Sequence, residues 1–200
     1  MKIYDVEQNS DEWYSLRCGV LTSSSFDKII TPGGKLSAQS GMFENRVVAE
    51  RLTGDPIIDF KGTQWTERGH ELEPDAVSFY EFKTGSETRS VGFVLSDDGS
   101  IGCSPDRFIG DDGILEIKCP APHTHVEMVL TGKIGDEYKP QIQGQLLITG
   151  RKWVDIVSYH PKIKPSIIRI ERDDEYIDKL ASAIEQFNQN VRSKLDAFSE

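Results

Sequence analysis

The sequence predicts an α/β fold, with a mixed central β-sheet flanked by helices. Three observations carry this expectation. Apolar residues of the first third recur at helical spacing, residues 88–119 change to short alternating segments, and helix, strands and helix then follow in turn. No linker, repeat or low-complexity tract interrupts the 200 residues, so a single domain spanning 1–200 is expected.

Ser10 or Asp11 can cap a short helix through Arg17, stopped by Gly19. A second short helix fits Ser23 to Ile30, and TPGGK (31–35) reads as a turn or mobile loop. Met42, Arg46 and Ala49 to Leu52 suit a third helix, ended by Gly54 and Pro56. A fourth runs from about Thr63 to Phe82, with Leu72, Ala76, Phe79 and Tyr80 inward and Pro74 expected to perturb or divide it. Segments near 88–95, 100–109 and 114–119 read as strands separated by SDDG and GDDG. Helices at about 123–131 and 136–149 follow, then strands at 153–159 and 166–171. The last helix carries Ile177, Leu180, Ile184, Phe187, Val191 and Leu195 at spacings of three and four, a core stripe.

Composition narrows the function classes. No apolar run is long enough for a membrane span, and the polar start MKIYDVEQNSDEW lacks the core of a secretory signal, so a cytoplasmic protein is expected. Cys18, Cys103 and Cys119 are odd in number and form no CxxC pair, which argues against disulfides and zinc. The net charge of −10 works against binding a phosphate backbone. Basic residues gathered on one surface, several subunits pooling positive patches, or metal held by acidic residues would each relieve that conflict.

The stretch GSIGCSPDRFIGDDGILEIKCP, residues 99–120, carries chemistry. It reads as two strands joined by GDDG, with Asp106 in the first and Glu116 and Lys118 in the second. Glu116 and Lys118 are two apart and share a sheet face. Pairing Ile109 with Ile114 would turn Asp106 to the opposite face. The loop must therefore hold an odd number of residues or a bulge, for which Gly113 could supply the left-handed residue. Paired carboxylates beside a lysine suit phosphodiester hydrolysis with magnesium, a hard cation that keeps waters and accepts phosphate oxygens. The Ile117 carbonyl is a further possible ligand, and Lys118 could orient or deprotonate the attacking water. The competing reading is a solvated hairpin with charges on its outer face. The apolar flanks of ILEIKCP weigh against it, since a half-buried carboxylate needs a cation.

SPD…EIK resembles the PD-(D/E)xK nuclease signature, and the chain from about residue 8 to 172 resembles the lambda-exonuclease-like (YqaJ-type) viral recombinase nucleases. Five segments support this in order: EWYSLRCGVLTSS (12–24), RGHELEPDA (68–76), CSPD (103–106), LEIKCP (115–120) and YKPQIQGQLLITG (138–150). The resemblance implies a restriction-endonuclease-like core. It makes Glu73, Asp106, Glu116 and the Ile117 carbonyl metal ligands, Lys118 the catalytic lysine, and Gln141 and Tyr138 active-site residues. It assigns Arg17, Ser24 and Ser104 to a pocket for the 5′-phosphate of the digested strand. It further implies 5′-to-3′ digestion of double-stranded DNA ends leaving 3′ overhangs, with two magnesium ions per site (manganese substituting). A homotrimeric ring, a single-strand annealing protein as partner and a phage or prophage origin in a bacterial cytoplasm complete what it implies.

Plainer roles compete at several positions. Glu73 could be an exposed helix residue, Arg17 could close a surface salt bridge, Ser24 could cap its helix, and Gln141 could be a core-edge amide. His70, one turn from Glu73, is expected to be structural or to act through the ligands. His123 and His125 read as loop or helix-start residues. A structure-specific or restriction-type endonuclease would use the same hairpin but needs no pocket for a terminal phosphate. A DNA-binding protein with a dead nuclease fold is opposed by the intact Asp106, Glu116 and Lys118.

Overall fold

The computed structural model describes residues 1–58 and 64–199, without the side chains of residues 64–67 and 70. The expected helix start at Thr63 and the side chain of His70 thus lie outside the described residues. Strands Lys2–Tyr4 (β1) and Leu21–Thr22 (β2), which the periodicity does not reveal, bracket helix Asp11–Arg17 (α1). A 3-10 helix, Ser23–Lys28, leads to helices Ser40–Thr53 (α2) and Gln64–Thr84 (α3). Pro74 lies inside α3, which is one helix on both sides of it.

The expected strand at 88–95 is two, Thr88–Ser90 (β3) and Phe93–Leu95 (β4). The one at 100–109 is also two, Ile101–Cys103 (β5) and Arg107–Ile109 (β6), followed by Gly113–Lys118 (β7). Helices Pro122–Thr131 (α4) and Lys139–Thr149 (α5) cross to strands Trp153–His160 (β8) and Ile163–Glu171 (β9), and Asp174–Asp196 (α6) closes the chain.

The α/β fold of mixed sheet flanked by helices is as expected, with the strands divided between two mixed sheets, ordered β1-β4-β5-β2 and β3-β6-β7-β8-β9. The reason lies in the links. Val91–Gly92 and Ser104–Pro105–Asp106 each carry the chain from one sheet to the other. Gly92 has no room for a side chain, since a Cβ there would meet the backbone of Val6 at 2.2 Å, and Pro105 has no N–H for a ladder. Strand β7 is the middle strand of the second sheet, antiparallel to β6 and parallel to β8. The α4–α5 crossover supplies the long connection that parallel pairing requires.

Both faces of this sheet are covered. Ile114, Val154 and Ile156 pack with α5 and α6, where Ile177, Leu180, Ile184, Phe187 and Val191 form the expected stripe. Leu115 and Val157 pack under α3 with Ala76 and Tyr80. The Tyr80 hydroxyl donates to buried Asp155 on β8 at 2.7 Å, and Arg169 pairs with the same carboxylate at 2.7 Å, which fixes α3 over the sheet. The 31–35 segment is a closed turn: the Thr31 N–H donates to the Lys35 carbonyl at 2.7 Å, and Tyr176 of α6 donates to the Thr31 carbonyl at 3.0 Å.

Candidate active site

The register of β6 against β7 pairs Ile109 with Gly113 and Arg107 with Leu115. Continued by one residue, it sets Asp106 across from Glu116. The turn between these strands is Gly110–Asp111–Asp112, the odd-numbered loop that side-chain parity demands. The left-handed residue is Gly110, with φ +49°, and not Gly113. Gly113 is needed for a different reason, because a Cβ there would stand 2.2 Å from the Trp153 ring. The buried Arg151 guanidinium holds the turn, donating to the carbonyls of Gly110 at 2.9 Å and Gly113 at 2.8 Å. Asp106 lies one residue ahead of β6, in the link between sheets and not within a strand as expected. Ser104 shares that link, between β5 and β6.

Glu116 is 4% exposed and collects three donors. Lys118 Nζ and Gln141 Nε2 meet its Oε1 at 2.8 and 3.0 Å, and Gln145 Nε2 meets its Oε2 at 2.9 Å. The Ile117 N–H donates to Asp106 Oδ2 at 2.6 Å. The ammonium of Lys118 stands 5.2 Å from the centre of the Tyr138 ring. Glu73, half-buried on α3, is near enough for its charge to act on Asp106 and Cys119. Burial pushes the Asp106 carboxyl well above the usual range, helped by the charges of Glu116 and Glu73 and opposed by Lys118 and the Ile117 N–H. Burial alone would lower Lys118, but the charges of Glu116 and Asp106 outweigh it and hold the ammonium charged. Sequence reasoning thus places Asp106, Glu116, Lys118, Glu73, Gln141 and Tyr138 in one neighbourhood, and the structure brings them together. It misses Gln145, one helical turn beyond Gln141, a spacing that could have found it.

The Arg17 side chain forms a second cluster. Its NH2 donates to Thr22 Oγ1 at 3.2 Å and Ser24 Oγ at 3.1 Å, and its NH1 to Ser104 Oγ at 3.4 Å. The guanidinium lies 4.0 Å over the Trp13 ring, whose Nε1 donates to Ser104 Oγ at 2.8 Å. No carboxylate among the described residues is within ion-pair distance of Arg17. Burial lowers its pKa to about 10, opposed by Cys103, Tyr14 and Glu50. An enclosed cation held only by hydroxyls and an aromatic face is suited to an anion. Arg17 therefore closes no surface salt bridge, and Ser24 caps no helix: Thr22 is the capping position, with no side-chain bond. Trp13 and Thr22 went unread, although Trp13 stands one helical turn before Arg17.

The two clusters are joined by Ser104–Pro105–Asp106. Gln8 Nε2 steadies this link by donating to the carbonyls of Val91 at 3.1 Å and Pro105 at 3.2 Å. Helix α5 reaches both clusters. Gly144 lets it approach the 3-10 helix, since a Cβ there would lie 2.3 Å from the Phe26 ring and 3.4 Å from the Ser23 Cβ.

Among the described residues no group of three or more His, Cys, Asp or Glu side chains forms a ready-made metal cage. The donor set nevertheless fits a hard cation. The buried Glu116 carboxylate, the partly buried Asp106 carboxylate that it repels, a backbone carbonyl between Glu116 and Lys118, and Glu73 nearby offer only oxygen, and magnesium keeps several of its waters. Cys18, Cys103 and Cys119 are all free. His125, buried at the start of α4, bonds Ser158, the β8 neighbour of Lys118, at 2.7 Å and the Lys164 carbonyl at 3.2 Å, a structural tie between α4 and the sheet.

The fold and the site are those of a nuclease hydrolase. Residues 12–152 match the YqaJ-like viral recombinase domain, and the chain belongs to that family. It is similar in structure to an alkaline exonuclease (LHK-Exo) from Laribacter hongkongensis. Identity is 32%, 95% of this chain and 96% of that one are covered, and the TM-score is 0.85. LHK-Exo in complex with dAMP matches with a TM-score of 0.84 at 32% identity, over 94% of this chain and 96% of that one. A phage related exonuclease from Haemophilus somnus shares the fold at 19% identity and a TM-score of 0.63, over 88% of this chain and 96% of that one. No curated protein matches. No helix among the described residues is long and apolar enough to cross a membrane.

Proposed function

We propose that the chain is a magnesium-dependent exodeoxyribonuclease that digests double-stranded DNA from 5′-phosphorylated ends and leaves 3′ overhangs. One observation carries the reading. The carboxylate-free Arg17 cluster stands one Ser–Pro–Asp link from the Glu116–Lys118 pair, so a terminal phosphate and the next phosphodiester can be held together. An endonuclease has no use for such a cluster. The similarity to LHK-Exo, which is described in complex with the nucleoside monophosphate dAMP, supports a mononucleotide product.

Magnesium, or manganese in its place, would be held by Asp106, Glu116, the Ile117 carbonyl and Glu73, with two ions per site. When bound it polarises the scissile phosphate and acidifies a coordinated water. The chain's own groups do the rest. Arg17, Ser24 and Ser104 fix the 5′-phosphate. The Lys118 ammonium orients the attacking water and steadies the negative charge that develops on the phosphate, a part that suits a lysine held protonated by two carboxylates. Gln141 keeps Glu116 in place, and Tyr138 covers Lys118. With a net charge of −10, closure of three subunits into a ring around the duplex would retain DNA that one subunit holds poorly. A single-strand annealing protein would receive the exposed strand in the cytoplasm of a bacterial host.

Linear and closed circular duplexes, end-labelled and incubated with and without magnesium, test the reading. Magnesium-dependent release of label from 5′ ends of linear DNA is expected. Cutting of the circle, or release from 3′ ends first, overturns it.

A further inference from the structure

We propose that Gln145 is the positioning residue for Glu116 in the metal-free and metal-bound site alike, an assignment that rests on the magnesium reading above. Lys118 and Gln141 both act on Oε1 of Glu116, and Gln145 is the donor on Oε2, at 2.9 Å. Without it no described side chain would hold Oε2, and the orientation of the carboxylate plane would rest on the two bonds to Oε1 alone.

The neighbouring amide on α5 shows what a purely structural glutamine looks like in this helix. Gln143 uses both ends: its Nε2 donates to the Glu171 carbonyl at 2.9 Å, and its Oε1 accepts from the Asp173 N–H at 2.9 Å. It ties the end of β9 to the start of α6. Gln145 is fully buried, yet its Oε1 has no hydrogen-bond partner among the described residues. Its amide cannot flip to remedy this, because the oxygen would then face the carboxylate of Glu116. A buried acceptor without a donor is costly. The one bond its side chain makes among the described residues is the one to Glu116. The one-turn spacing from Gln141 brings both amides to the same carboxylate, where outer groups of this kind set how well a ligand meets its metal.

The test is calorimetric titration of the intact protein with magnesium chloride, DNA absent, for the wild type, Gln145→Met and Gln145→Asn, with thermal melts to show that each is folded. Methionine keeps the volume and removes the donor, and asparagine keeps the amide but withdraws it. Magnesium binding is expected to weaken by roughly 10–100-fold in both, and raised magnesium should restore cleavage of a linear duplex, which it would not do for a merely misfolded helix. If Gln145→Met fails to fold, the Gln145→Asn isotherm decides. Isotherms equal to the wild type's in a folded variant overturn the role of Gln145 while leaving the magnesium reading intact. A wild type that takes up no magnesium overturns both.

Discussion

The indole N–H of Trp13 donates to the hydroxyl of Ser104 at 2.8 Å, and Ser104 stands two residues ahead of Asp106. Arg17 also donates to that oxygen, so on the proposed function the hydroxyl's own proton is the one left to meet a phosphate. Removing the indole donor while keeping an aromatic platform should loosen this arrangement. In Trp13→Phe, the rate advantage of 5′-phosphorylated over dephosphorylated duplex is expected to fall by about fivefold, the worth of one ordinary hydrogen bond. Arg17→Ala should erase most of it. Paired end-labelled substrates measure both, and an undiminished preference in Arg17→Ala would remove the phosphate cluster from the mechanism.

Lys118 pairs with Glu116 at 2.8 Å and is only partly exposed, so on the proposed function it acts on the reacting groups more than on duplex capture. Lys118→Ala is therefore expected to slow cleavage on the order of a hundredfold or more, with duplex affinity nearly unchanged. Single-turnover rates and a filter-binding isotherm check the two halves. Near-normal turnover at saturating DNA and magnesium is the contrary result.

Gly144 is expected to tolerate no side chain. The Cβ of Gly144→Ala would press on the Phe26 ring at 2.3 Å, and such overpacking costs about 1–3 kcal/mol. Denaturant melts should show that loss, with the phosphate preference disturbed as the 3-10 helix shifts. A melt superimposable on the wild type's would mean that α5 and Phe26 are not in close contact.

Stability should sag in mild acid. The neutral His125 ring donates from Nε2 to the Lys164 carbonyl and accepts from Ser158 at Nδ1, and burial lowers its pKa. The folded state thus binds fewer protons than the unfolded chain. Stability is full above the ordinary value of 6.5 and is lost as the pH falls from there toward the depressed folded value. His160, whose ring is 6.0 Å away, is shifted in the same direction by burial, Arg68, His125 and Lys162. Chemical denaturation across this window should show a smaller loss in His125→Gln than in the wild type. Equal losses would refute the assignment.

The carboxylate–lysine pair was legible because its spacing is local: Glu116 and Lys118 share a face by strand alternation, and the parity argument required the odd loop that the structure has. Glu73, Gln141, Tyr138 and the Arg17 group were reached only through the family resemblance. The division into two sheets was not legible. Val91–Gly92 and Ser104–Pro105–Asp106 are too short to look like boundaries, and β1 and β2 are too short to show a period. Trp13, Thr22 and Gln145 escaped for another reason. Each acts through a neighbour, Ser104, Arg17 or Glu116, and such contacts are made across elements whose packing a sequence does not display. Gly113 was misassigned because a glycine in a turn suggests backbone freedom first, whereas here it makes room for Trp153.

The Ser104–Pro105–Asp106 link has a consequence for the product. It begins at a hydroxyl that binds with Arg17 and ends at a carboxylate across from Glu116, with a proline between them and Gln8 pinning the proline carbonyl. Neither end can drift along the chain, so the link acts as a ruler. On the proposed function its length would set the gap between an anchored strand end and the bond to be cut, that gap would decide how many nucleotides leave at each step, and here it would measure one. A residue inserted beside Pro105 would recalibrate the ruler, and the size of the released fragment would report the new setting.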